Sequence, residues 1–135
     1  MELEWTATDP ETLGLSYVEQ RSGVDEYVAR IEALRSYPGE GYSEVHWADR
    51  DYPLVTLQFR HPYGVVHYMS ENGAIHLLVG DGVVDDEEGV LVPGLEDQSE
   101  YSGTFVMSSD RAWEVVQEFL RTGTVEQLGK WYELD

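Results

Sequence analysis

Apolar residues at Val24, Val28, Ile31 and Leu34 recur every three or four positions, and the run stops at Tyr37-Pro38-Gly39. That spacing predicts an amphipathic helix of about three turns. Ser22 offers it a hydroxyl cap, with Asp25 three residues on as a variant of the capping box. A second helical stripe, Ala112, Val115, Val116, Phe119 and Leu120, begins behind Ser108-Ser109-Asp110 and ends at Gly123. Hydroxyls and a carboxylate suit the free N–H groups and positive pole of a helix start, and glycine suits the residue after its end. Trp113 lies one residue off this stripe and is expected at the edge of the core.

Between the helices the pattern changes to alternation and short apolar runs bounded by Pro- and Gly-bearing turns. Antiparallel strands are predicted over Ser43–Ala48, Leu54–Phe59, Val65–Met69, Ala74–Val79 and Tyr101–Met107. Asn72-Gly73 is the strongest hairpin signal, because both central positions of a type I′ turn need positive φ. That turn would set Glu71 opposite Ala74 and Met69 opposite His76. One face then carries Val66, Tyr68, Ile75, Leu77 and Val79, and is the expected core face. The other carries Val65, His67, Met69, His76 and Leu78. Leu3 to Glu19 mixes short β-prone pieces with a turn at Asp9-Pro10, and Leu128–Leu134 is apolar enough to return as a final strand or packed extended segment. The expectation is an α+β fold in two layers, an antiparallel sheet of about five to six strands packed by two main helices.

Composition bounds this picture. The 135 residues are 41% apolar and 12% aromatic, which suits one domain, 1–135, burying roughly two thirds of its unfolded surface. Cysteine is absent, so disulfide and thiolate chemistry are excluded. The acidic opening Met1-Glu2-Leu3-Glu4-Trp5 lacks the apolar stretch of a secretory signal, and no run approaches the length of a membrane span. The expected location is the cytoplasm.

Charge changes the picture more. Twenty-seven acids against eight bases leave a formal charge of −19. Such a chain lacks the basic face that DNA, RNA or an anionic membrane requires of a direct ligand. From His61 to Asp110 there is no Lys or Arg, yet there are ten carboxylates, eight of them between Asp81 and Glu100. A surface of one sign stabilises no fold, but it attracts a basic partner and speeds the encounter. High solubility alone is the bland account of the same acidity.

Catalytic chemistry finds little foothold. Of the histidines 46, 61, 67 and 76, His67 and His76 are expected on one face, but diagonally placed and without the spacing of a metal-ligand pair. Asp81-Gly82 and Asp85–Glu88 resemble a calcium loop in composition but lack its ligand spacing. Gly80-Asp81-Gly82 lacks the rest of a phosphate-binding fingerprint, and no Gly-x-Ser-x-Gly elbow occurs. Carboxylate pairs are too numerous to nominate an acid and a base. No catalytic residue, metal, cofactor or small-molecule substrate is expected, and the chain reads as a binding protein.

The C-terminal stretch reads Ala112-Trp113-Glu114-Val115-Val116-Gln117-Glu118-Phe119-Leu120-Arg121-Thr122-Gly123, then Leu128, then Trp131-Tyr132-Glu133. It resembles the end of the Imm-one family of bacterial immunity proteins, where a helix closing on a Glu-Phe-Leu-x-Thr-Gly-like phrase leads to a Trp-x-Glu motif. More loosely, Leu54–Met69, with Gly64 and Tyr68, looks like that family's central strands, and Val24–Leu34 like its early helix. Roughly two thirds of the chain is covered, with the final twenty-odd residues the specific part. Thr124-Val125-Glu126-Gln127 departs from the basic residue and proline that often follow the family's Thr-Gly. The resemblance implies an α+β antitoxin of a polymorphic toxin system. Such proteins bind a cognate toxin, often a deaminase acting on nucleic acid, and cover its active site or substrate groove. An acidic adaptor or nucleic-acid mimic acting on a basic housekeeping protein is the alternative.

On this reading the residues expected to touch a toxin are Tyr63, Asp81, Asp85, Asp86, Glu87, Glu88, Glu96, Asp97, Glu100 and Tyr101. The acids are flanked by Gly82, Gly89, Pro93 and Gly94, and tyrosines carry large contact area on few rotatable bonds. Phe119, Gly123, Trp131 and Glu133 match the family motif, and a structural role is the preferred reading for them. Trp131 and Glu133 should share one face of an extended tail, with Tyr132 on the other.

Overall fold

A computed structural model, which describes residues 1–14, 16 and 18–134, builds the chain around one antiparallel sheet. Leu3, Trp5 and Ala7 alternate with polar neighbours, so the opening segment becomes β1 (Glu2–Ala7) with those three side chains buried. A short β2 (Gln20–Gly23) pairs with it and runs straight into α1 (Val24–Ser36). A meander follows: β3 (Glu40–Trp47), β4 (Leu54–Arg60), β5 (Tyr63–Met69) and β6 (Ile75–Leu78). The strands β7 (Gly89–Pro93) and β8 (Gln98–Ser102) pair only with each other. The two-residue β9 (Met107–Ser108) leads into α2 (Ser109–Thr122), and β10 (Trp131–Glu133) ends the chain's regular structure. The main sheet has eight strands, in the order β10-β6-β5-β4-β3-β1-β2 with β9 beside β5. Among the described residues no helix is long and apolar enough to cross a membrane.

The α+β class holds, with more strands than the pattern suggested. Both helices pack on one face of the main sheet, where Leu3, Trp5, Tyr27, Ile31, Leu57 and Phe119 belong to the large core cluster. Against part of the opposite face lies the β7–β8 hairpin. It closes a second, smaller cluster of Val65, Leu77, Val84, Val92 and Val106. The central strands are therefore buried on both sides at one end, and the hairpin adds a partial third layer.

The helix starts divide into one met and one missed expectation. At α2, Ser108 Oγ accepts from the Arg111 N–H at 3.1 Å. Its other end is closed by Gly123 at φ 72°, whose N–H donates to Phe119 O at 2.7 Å. Ser22 does not cap α1. The N-cap is Gly23, with no side-chain bond, because β2 continues to the helix and Ser22 is still a paired strand residue opposite Leu3. Its hydroxyl is turned to the core, where it accepts from the Trp5 indole N–H at 2.9 Å. Trp113, expected at the core edge, is fully packed beside Tyr27 and donates its indole N–H to Glu32 on α1.

The β5–β6 register differs by one residue from the type I′ expectation. Met69 faces Ile75, and Tyr68 faces His76. Gly73 N–H donates to Ser70 O and Ser70 N–H to Ala74 O, both at 2.9 Å, while Gly73 alone of the loop has positive φ, at 85°. This is a three-residue loop built on a type I turn with a glycine bulge. A one-residue slip exchanges faces. His76 and Leu78 therefore join Val66 and Tyr68 on the helix side, and Ile75 and Leu77 join Val65 and His67 on the outer side. His67 and His76 do not share a face. The predicted strand Tyr101–Met107 is also broken: β8 ends at Ser102, a 3₁₀ turn spans Gly103–Phe105, and β9 follows. Ser102 Oγ accepts from Thr104 N–H at 3.2 Å and caps that turn, which carries the chain from the hairpin back to the main sheet.

Candidate partner-binding surface

The acidic segment is a built surface held against the sheet. Gln58, on the outer face of β4 and only 1% exposed, is its clip. Its amide donates to Pro93 O at 2.9 Å, and its carbonyl accepts from the Tyr101 hydroxyl at 2.6 Å, so one side chain holds both strands of the hairpin. Arg60, two residues on and on the same face, donates to Leu91 O at 3.1 Å and to Gln98 Oε1 at 2.5 Å, and pairs with Glu40. The loop between β6 and β7 is tied as closely. Gly80 N–H donates to Thr104 O at 2.7 Å, Gly103 N–H to Glu88 O at 2.8 Å, and Ser102 Oγ to Asp86 O at 2.8 Å. A Cβ at Gly103 would lie 2.0 Å from Asp85 O, so only glycine permits this approach.

On this platform Asp85, Asp86, Glu87, Glu88, Glu96, Asp97 and Glu100 are all exposed. Glu96 and Asp97 form the hairpin turn, closed by Gly94 N–H donating to Asp97 O at 2.6 Å. Glu100 stands opposite Leu91 in β7 and lays its carboxylate over Gly89. Asp81 is exposed but set apart, at the start of α2, where its carboxylate accepts from Ser108 N–H at 3.3 Å. Among the described residues none of these eight carboxylates forms an ion pair, so their field is not cancelled locally. Exposed Leu91 and Leu95 stand among them.

The two tyrosines are placed differently. Tyr63 opens β5 half-buried, and Tyr101 is half-buried with its hydroxyl committed to Gln58. Burial raises the Tyr101 phenol above its ordinary range. Both rings pack against the small cluster, so each supports the platform from within.

Of the motif residues, Trp131 and Glu133 lie on the edge strand β10, and Phe119 and Gly123 on α2. Phe119 is buried in the large core and Gly123 closes α2. Trp131 meets Tyr68 edge-on at 4.6 Å between ring centroids, and its indole N–H donates to Val125 O at 2.9 Å. Glu133 lies opposite His76 in the β10–β6 pair, with 3.9 Å between Oε1 and Nε2. Tyr132 takes the opposite face, beside Phe105.

A second acidic feature escaped the sequence reading. At the far end of the outer sheet face, Glu4, Glu19, Glu44 and Asp51 line an open recess with His46. They come from four separate stretches of chain, brought together by the β1–β2 and β1–β3 pairings and the connection between β3 and β4. No signal in the local pattern could have found it. The chain matches no protein-family model and no curated protein.

Proposed function

We propose that this chain is a non-enzymatic immunity protein. It binds a bacterial toxin one-to-one and neutralises it by covering its active site or substrate groove. The toxin class implied by the C-terminal resemblance is a nucleic-acid deaminase. The observation that carries the proposal is the set of exposed, unpaired carboxylates on a hairpin and loop tied to the sheet. An enzyme that handles nucleic acid presents a basic groove. A fixed acidic surface with apolar Leu91 and Leu95 in its midst complements such a groove, and needs no ordering on contact.

Co-expression with the neighbouring toxin gene tests the proposal. The expected outcome is survival that depends on this chain, and killing that is equal with and without it would refute the reading. Recovery of a basic partner from a lysate free of the toxin would instead favour a housekeeping adaptor. Charge steering adds a kinetic expectation: association slows steeply with salt while dissociation changes little.

A further inference from the structure

The recess at the far end of the outer face gathers hydrogen-bond acceptors with too few donors. Glu4 lies directly opposite His46, and Thr6 opposite Glu44, in the β1–β3 register. With Glu19, Asp51 and Tyr52 they line a space of about 180 Å³. His46 organises it. The side chain is only 9% exposed, and its Nδ1 lies 2.9 Å from Trp47 O and 2.7 Å from Arg50 O. Carbonyls only accept, so Nδ1 carries the proton and the ring is held by its back edge.

His46 Nε2 is thereby aimed into the recess. Its nearest polar neighbours are Glu4 Oε1 at 3.7 Å and Glu19 Oε2 at 3.8 Å, beyond hydrogen-bonding range. Thr6 contributes a buried Oγ1 that also lacks a partner. Glu44 has one donor, the Tyr42 hydroxyl at 2.9 Å. Arg21 does not complete the set, because its Nε bonds to Glu2 and its Nη1 comes no closer than 4.0 Å to Glu4. Glu4 and Glu19 flank the imidazole edge, Glu44 and Asp51 line the same space, and the few donors nearby leave most of the carboxylate oxygens unserved.

We propose that this recess receives an arginine side chain of the partner. A guanidinium has five N–H donors in a rigid planar fork, enough to serve several acceptors from one position. Its permanent charge answers four carboxylates. A bare metal ion fits less well, since among the described residues no three His, Asp or Glu donors are arranged to hold one. The proposal rests on the reading of the chain as the ligand of a basic partner and names one contact of that complex. It places a second contact on the outer face, on β1 and β3 rather than on the acidic hairpin.

The test needs no toxin. Nα-acetyl-arginine amide is titrated into ¹⁵N-labelled protein, with Nα-acetyl-citrulline amide as the uncharged isostere and zinc chloride as a third arm. Saturable shifts are expected at Glu4, Thr6 and His46 with the arginine probe alone, at about millimolar concentration. The double substitution Glu4→Gln/Glu19→Gln weakens that binding about tenfold. Any of four results overturns the proposal: no saturable shift, equal shifts with citrulline, shifts centred on Asp85–Glu88, or micromolar zinc saturating the recess and excluding the arginine probe. A failed titration leaves the co-expression result standing, and failed protection leaves the titration standing, so the two readings fall separately.

Discussion

His67 stands on the outer face of β5 between Thr56 and Leu77, with Nδ1 buried and unpartnered. Burial disfavours the imidazolium and pulls its pKa from 6.5 down to about 4. In the unfolded chain the same ring takes up its proton near the ordinary value. Between the two values the unfolded state binds the proton and the folded state does not, so stability falls as pH drops through that window. The full difference is worth about 3 kcal/mol, and about 2 kcal/mol of it is lost by about pH 4.5. Acid sensitivity of the native chain alone is uninformative, because 27 carboxylates titrate nearby. Comparison with His67→Leu isolates the ring. In urea unfolding near pH 7 the variant should match or exceed the native protein by up to about 1 kcal/mol, since an unpartnered nitrogen is replaced by apolar volume. Near pH 4.5 the gap should widen by about 2 kcal/mol in favour of the variant. A gap that does not change with pH, or an NMR titration placing His67 near its ordinary value, would refute the argument.

Two further perturbations probe the platform and the core. Gln58→Leu strands Pro93 O and the Tyr101 hydroxyl; it should cost about 2 kcal/mol and speed amide exchange selectively in β7 and β8, and uniform exchange would contradict the clip. Gly64→Ala would set a Cβ 2.7 Å from Ala112 Cβ where β5 meets α2. A loss of about 1–3 kcal/mol is expected in denaturant melts, with Ala112→Gly recovering part of it in a double-mutant cycle.

What the sequence revealed tracks how local each determinant is. The second helix was legible from end to end because Ser108, its apolar stripe and Gly123 lie within one continuous stretch. Asn72-Gly73 announced a hairpin but not its type. The Asn72 carboxamide oxygen accepts from Ala74 N–H at 3.0 Å and from Ser70 Oγ at 2.7 Å, which holds the asparagine at negative φ and leaves Gly73 as the bulge. That local bond fixed the register and sent His76 and Leu78 to the helix side. Val90 and Val92 alternate as a strand should, yet the surrounding carboxylates disguised β7 as loop. The exposure of Asp85–Glu88 and Glu96-Asp97 could be read from their chemistry. Their attachment through Gln58, 35 residues before Pro93, could not, and neither could the β1–β2 and β1–β3 pairings that help form the recess.

The hairpin is fastened to the sheet by side chains and packing, not by strand pairing. That separates two sets of structural demands. Gln58, Gly80 and Gly103 must persist for the attachment to survive, and the helix–sheet core does not feel what replaces Asp85–Glu88 or Glu96-Asp97. Successive substitutions can therefore redraw the outer charge pattern in small steps without passing through an unfolded ancestor. The charge carried by the outer layer is thus set apart from the interactions that hold the fold together.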